Sequence, residues 1–347
     1  MLDFRVPSIL LALIVTNCQA AFGPQNANYN ETEARMLLNL AAAAYSTNPD
    51  GCLQRTFPVQ EGQRVLKTFS ENCDFLGNPC SGYIVVSDVL RQITFVFRGT
   101  KTNSQLLLEG WTTLQPKTEF YGIGNVNNYF KRGHELTWKY IEEVYNDTRY
   151  QNYDVYITGH SLGGALAALA AARTVRGEYR QGNQIKLVTF GEPRVGNLQF
   201  SRFFDMFIPF SFRIVHAIDI VPHLPACVKD LSYVPRAEDN GSMPCDPVST
   251  SGGYHHGLEI WYPDGMERGA QYRVCTGAPK NEDFTCSNAP KIDLDDTSRG
   301  VWDHRNYFGV AVPAFGKGSC DPTMSFDPPP TETGPLSLIS AIFGRKK

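Results

Sequence analysis

Apolar positions along the chain recur with two spacings. Over residues 32–45, Met36, Leu37, Leu40, Ala41 and Ala44 return every three or four places, which predicts an opening helix. The β-branched and aromatic runs 83–86 and 93–97, parted by a polar stretch around Asp88, predict a hairpin. Residues 100–128 read as a loop interrupted by Leu106, Leu107, Leu108 and Trp111. Helical spacing returns over 134–145 through Leu136, Tyr140 and Val144. A strand over 153–158, a glycine-bounded turn over 159–164 and a small-residue helix over 165–175 follow. Then come a strand at 186–190, a helix at 198–207 and a strand at 212–218. Such alternation favours a mainly parallel sheet with helices on both faces. Two late strands, 254–262 and 271–274, precede a loop-rich end, and no internal repeat interrupts the order.

Length and charge narrow the classes of function. A chain of 347 residues with 42% hydrophobic content can bury a substantial core. Its net charge of -3 and 19% charged residues argue against both disorder and a nucleic-acid partner. Residues 1–20 carry Arg5, an apolar stretch at 9–15 and Cys18-Gln19-Ala20, the pattern of a secretory leader cleaved before Ala21. Beyond it the longest apolar run, 162–172, is only about half of what a bilayer span needs, so no transmembrane segment is expected.

Nine cysteines less Cys18 in the leader leave eight: Cys52, Cys73, Cys80, Cys227, Cys245, Cys275, Cys286 and Cys320. An even set in a secreted chain predicts disulfides, and none falls in a C-x-x-C pair that would suggest zinc or redox chemistry. Proximity alone suggests Cys227 with Cys245 and Cys275 with Cys286. The triplets at Asn30, Asn146 and Asn240 are candidate glycan acceptors. After Cys320 the composition turns to Pro328-Pro329-Pro330 and a basic end, so residues 21–320 read as one domain and 321–347 as a flexible tail.

The chemistry concentrates at Gly159-His160-Ser161-Leu162-Gly163-Gly164. This G-x-S-x-G lies between a predicted strand and a predicted helix, the setting in which a strained turn lifts a serine hydroxyl above a sheet. Such a serine needs a histidine base and an acid that fixes the imidazole, in the chain order Ser, Asp or Glu, His. Asp219 closes the predicted strand 212–218, whereas Asp205 lies in a helix and Asp230, Asp239 and Asp246 in a Pro- and Gly-containing excursion. His223 would share the acid's loop, and His255 and His256 begin a predicted strand, which leaves His304 on a late loop as the base. Its neighbour Asp303 reads as a local turn or cap. The backbone N–H of Leu162, together with Thr100 after the strand 93–97, can supply the oxyanion donors.

Five segments together resemble the class 3 lipase family, which includes fungal triacylglycerol lipases and feruloyl esterases. They are Phe97-Arg98-Gly99-Thr100, the Ser161 hexapeptide, Thr189-Phe190-Gly191-Glu192-Pro193-Arg194-Val195-Gly196-Asn197, Asp219-Ile220-Val221-Pro222-His223-Leu224-Pro225 and Asp303-His304-Arg305-Asn306-Tyr307-Phe308. The resemblance implies an α/β-hydrolase fold, a Ser161–Asp219–His304 triad and an oxyanion hole at Thr100 and Leu162. It also implies an amphipathic lid after Thr100, with Leu106, Leu107, Leu108 and Trp111 on its apolar face. The expected activity is hydrolysis of carboxylic esters, foremost acylglycerols at a lipid–water interface, with neither metal nor organic cofactor. A phospholipase A1, a feruloyl-type esterase and a catalytically silent lipid-binding protein are the alternatives. The stretches 227–252 and 275–296 depart from the fungal pattern. Oligomeric state is left open.

Overall fold

The computed structural model describes residues 29–73, 79–100, 115–239, 241–277, 279–290 and 297–330. In chain order, α1 (Glu31–Ala43) and α2 (Asp50–Thr56) precede β1 (Gln63–Asn72), β2 (Pro79–Ser87) and β3 (Gln92–Phe97). A small hairpin, β4 (Thr118–Glu119) and β5 (Asn125–Val126), leads into α3 (Asn128–Asn146). The alternating part follows: β6 (Asp154–His160), α4 (Leu162–Arg176), β7 (Ile185–Phe190), α5 (Leu198–Phe207) and β8 (Phe210–His216). The chain continues through β9 (Leu258–Tyr262), β10 (Arg273–Cys275), α6 (Ser298–Arg305), β11 (Asn306–Tyr307), β12 (Val310–Ala311) and α7 (Val312–Lys317).

One eight-stranded sheet runs in the order β1-β2-β3-β6-β7-β8-β9-β10. Its five inner strands, β3 to β9 in space, pair in parallel, while β1, β2 and β10 add antiparallel edges. This is the α/β-hydrolase fold. Alternate strand residues feed opposite faces, and both sets are apolar, as a sheet covered on both sides requires. Ile84, Phe95, Ile157 and Leu187 pack with Trp138 of α3 and Leu166 and Leu169 of α4. Val85, Val96, Val188 and Ile214 pack with α1 and with Phe315 of α7 on the other face. Helix α1 starts at Asn30, whose side chain accepts the Glu33 N–H, and Glu31 and Glu33 suit the positive end of the helix dipole.

Several boundaries differ from the sequence expectation for physical reasons. Helix α4 begins at Leu162 rather than 165 because the glycines let it start directly after Ser161. The strand expected over 254–262 begins only at Leu258: His255 and His256 precede it, and their imidazoles bond the Pro222 carbonyl and the Glu192 carboxylate instead. The strand expected to reach 218 stops at His216, which leaves Asp219 in the turn beyond it. Strand β1 escaped the apolar pattern because seven of its ten positions, among them Arg64, Lys67 and Glu71, carry polar side chains at the sheet edge.

All eight cysteines pair: Cys52–Cys320, Cys73–Cys80, Cys227–Cys245 and Cys275–Cys286. The first residues after Cys320 lie against the body, with Phe326 on the Phe315 ring and the Asp327 carbonyl accepting from Trp302 Nε1. The leader at 1–20, the lid residues Leu106, Leu107, Leu108 and Trp111, Asn240 and residues 331–347 lie outside the described residues. No described helix is long and apolar enough to cross a membrane.

Candidate active site

Ser161 sits where β6 gives way to α4, with φ +62°, a conformation unusual for a residue bearing a Cβ. The turn is possible because its neighbours are glycines: a Cβ on Gly163 would stand 2.3 Å from the Phe97 carbonyl oxygen. The Ser161 N–H donates to the Phe190 carbonyl at the end of β7, which ties the turn to the sheet. Ser161 Oγ donates to His304 Nε2 at 2.8 Å, and His304 Nδ1 donates to both Asp219 oxygens at 3.0 Å. All three side chains are buried. Serine, histidine and carboxylate thus form one hydrogen-bonded line.

His304 lies on α6, not on a loop as expected, because residues 298–305 close a helix immediately before β11. Asp303 is more than the local turn or cap that its sequence neighbourhood suggests. It is buried, accepts the Ile218 N–H at 3.2 Å and Arg299 Nε at 2.9 Å, and so binds the helix carrying His304 to the turn carrying Asp219. Asp219 itself accepts from Tyr307 O–H at 2.6 Å and from the Val221 N–H at 2.9 Å. Burial pushes the Asp219 carboxyl up, yet the His304 charge and these hydrogen bonds outweigh it and hold the group below the usual carboxylate range. Gly191 lies against the pair with φ +56°; a Cβ there would come within 2.6 Å of Asp219 Oδ2 and 2.8 Å of His304 Nδ1.

A second line of contacts runs behind the serine. His160 Nε2–H donates to the His304 carbonyl at 2.7 Å, which leaves Nδ1 to accept from Tyr45 O–H at 2.8 Å. Sequence reasoning assigned no role to Tyr45, His160 or Tyr307. His160 and Tyr307 do stand inside the family segments, but Tyr45, at the end of the first helix, has no local signal and reaches the site only through the fold.

Leu162 opens α4, so its N–H has no acceptor within the helix. Thr100 Oγ1 is buried without a hydrogen-bond partner among the described residues. Both donors are of the kind an oxyanion needs. The glycan candidates Asn30 and Asn146 are exposed at helix ends. One set of metal-capable groups, Glu259, Cys275 and Cys286, is a disulfide beside a carboxylate and offers no thiolate.

The class 3 lipase model matches residues 94–229. A Caenorhabditis elegans lipase, ZK262.3, is 63% identical over 339 residues, covering 98% of this chain and 96% of the relative. The chain belongs to the class 3 lipase family. As a class 3 lipase it is a carboxylic-ester hydrolase. Its fold is similar to that of the lipase from Rhizopus microsporus var. chinensis, with a TM-score of 0.60, 28% identity and coverage of 85% of this chain and 91% of that one. The Rhizomucor miehei triacylglyceride lipase is similar at a TM-score of 0.61 and 25% identity, over 82% of this chain and 96% of that one.

The lipase should lose stability in mild acid. Burial pushes His134 and His160 down to about 3 and His223 down to about 4, and holds His255 well below its ordinary value. In the unfolded chain these groups take protons near pH 6.5, whereas in the folded one they stay neutral until pH 3–4. Between those limits the unfolded state binds more protons, so stability falls as pH drops, by up to about 1.4 kcal/mol per pH unit for each histidine. Glu259 and Asp303, pushed up by burial, act in the opposite sense but are fewer. Urea unfolding at pH 7.5 and pH 5 should therefore give a clearly lower midpoint at pH 5. Equal midpoints would mean that these histidines are protonated in the native state.

Proposed function

We propose that this class 3 lipase is a secreted triacylglycerol lipase that works at the lipid–water interface through an acyl-enzyme. The observation that carries the proposal is the 2.8 Å contact of Ser161 Oγ with His304 Nε2, backed by Asp219. Ser161 attacks the ester carbonyl while His304 takes its proton. Asp219 keeps the His304 Nδ1–H in place, so Nε2 is the nitrogen free to accept, and stabilises the imidazolium that forms. The Leu162 N–H and Thr100 hold the oxyanion of the tetrahedral intermediate. His304 then protonates the departing alcohol oxygen, and water deacylates Ser161 by the same route in reverse.

The Rhizomucor miehei relative acts as a triacylglyceride lipase, which supports triacylglycerol as the substrate. Four disulfides, the leader pattern at residues 1–20 and exposed acceptors at Asn30 and Asn146 support secretion. A panel of emulsified long-chain triglyceride, phosphatidylcholine and a feruloyl ester tests the choice of substrate. The expected outcome is a kcat/KM at least about tenfold higher for the triglyceride, corresponding to about 1.4 kcal/mol of preferential transition-state binding. Preference for the phospholipid or the aromatic ester by the same margin would replace the triglyceride assignment.

A further inference from the structure

Residues 227–252 form a loop with its polarity reversed. Its stem is stapled by Cys227–Cys245 and by an antiparallel bridge between Lys229 and Cys245. Inside, Asp239 is almost fully buried and accepts from Tyr233 O–H, the Arg236 N–H and Arg236 Nη2 at 2.7, 2.7 and 3.0 Å. Outside stand Leu231, Val234 and Val248, 88%, 81% and 70% exposed, with Val228 at 38%. Four of the eleven exposed large apolar residues among the described residues fall within this one stretch. Leaving several such side chains in water on a loop whose polar groups already satisfy each other is unfavourable unless something apolar receives them.

The position of the loop indicates what does. Its stem leaves the sheet edge that carries Ser161 and Asp219: Arg194, just beyond β7, donates its N–H to the Leu224 carbonyl and Nη1 to the Pro225 carbonyl. The same Arg194 is held by Glu282 at 2.8 and 2.7 Å, so the stem is anchored in the core. At its other end, Gly252 lies against Val228 with the Gln115 side chain close by, so both ends of the loop sit together at this stem. The loop therefore rises from the edge of the sheet at which an ester must reach Ser161. Charge selects the kind of surface: the stretch carries two basic residues, Lys229 and Arg236, and four acidic ones, Asp230, Glu238, Asp239 and Asp246. A loop of that balance has no attraction for an anionic membrane.

We propose that the loop 227–252 seats the enzyme on a neutral lipid surface by inserting Leu231, Val234 and Val248. The bridge and the internal hydrogen bonds order the loop in advance, so docking does not have to pay for folding it. The proposal deepens the interfacial-lipase reading and rests on it. The family model ends at residue 229, so most of the loop lies outside what that match describes.

The test compares wild type with Leu231→Asp/Val234→Asp/Val248→Asp, and with the corresponding triple Ser variant in case the Asp variant folds poorly. N-glycans are removed from all proteins, because the Asn240 acceptor lies in the same loop. Flotation with phosphatidylcholine-coated triolein droplets should show binding weakened at least about 100-fold, while kcat/KM on a soluble short-chain ester stays within about twofold. Unchanged droplet binding would overturn the proposal. So would tighter, salt-sensitive binding of wild type to phosphatidylserine vesicles, or a change from dimer to monomer in the variants, which would assign the tip to a second copy. Flotation needs no turnover, so failure of the catalytic reading, seen as no soluble-ester hydrolysis by wild type, remains separate from failure of the docking loop.

Discussion

Ser161→Ala should lower kcat on a soluble ester about a million-fold while leaving the thermal midpoint close to wild type. The hydroxyl makes one side-chain hydrogen bond, to His304, and its removal leaves the φ +62° turn and the glycine contacts in place. On the proposed mechanism the His304 imidazole, the Leu162 N–H and Thr100 remain, but no bond can form to the acyl carbon. What survives is the rate that orientation and the oxyanion donors give to attack by water, typically 10³–10⁴ above the uncatalysed reaction. A fluorophosphonate probe should label wild type and not the variant. A loss of less than tenfold, or continued labelling, would place the nucleophile elsewhere.

Asp219→Asn should cost about 10⁴ in kcat with little change in KM. The carboxylate accepts every hydrogen bond it makes, from His304 Nδ1, Tyr307 O–H and the Val221 N–H. An amide keeps the shape but turns one acceptor into a donor. His304 then relieves the clash by moving its proton to Nε2, the nitrogen that must accept from Ser161. The imidazolium also loses its counter-charge in a buried site, where such pairing matters most. A modest KM effect is expected because Asp219 lies behind His304, away from the Ser161 face. A loss below tenfold would make Asp219 a structural residue of the β8 turn.

Much of this arrangement was legible because it is local. The order of strands and helices, the glycines flanking Ser161 and the late position of His304 are all properties of short windows. What the windows hid was set by tertiary contact. Asp303 reads as a turn residue beside His304, yet burial and the Ile218 N–H make it the link between α6 and the Asp219 turn. His255 and His256 read as strand because their neighbours are β-formers, but the bonds to Pro222 and Glu192 delay pairing until Leu258. Tyr45 is one more aromatic residue at the end of the expected helix, and only the packing of α1 and the turn after it against the sheet brings its hydroxyl to His160. Gly191 is explained by its φ of +56° and by the Asp219 and His304 atoms that a methyl group would displace, neither of which a short window shows.

The Cys52–Cys320 bond joins residues 268 positions apart. Every strand, along with Ser161, Asp219 and His304, lies between those two cysteines. In covalent terms the hydrolase body is a closed ring. One proteolytic cut at any exposed loop of the ring opens it without releasing a piece, so the severed ends stay tethered and the sheet can remain assembled. At least one further break, in the chain or in a disulfide, is needed before any fragment comes free. If the enzyme is secreted as proposed, that ring turns a nick into a survivable injury.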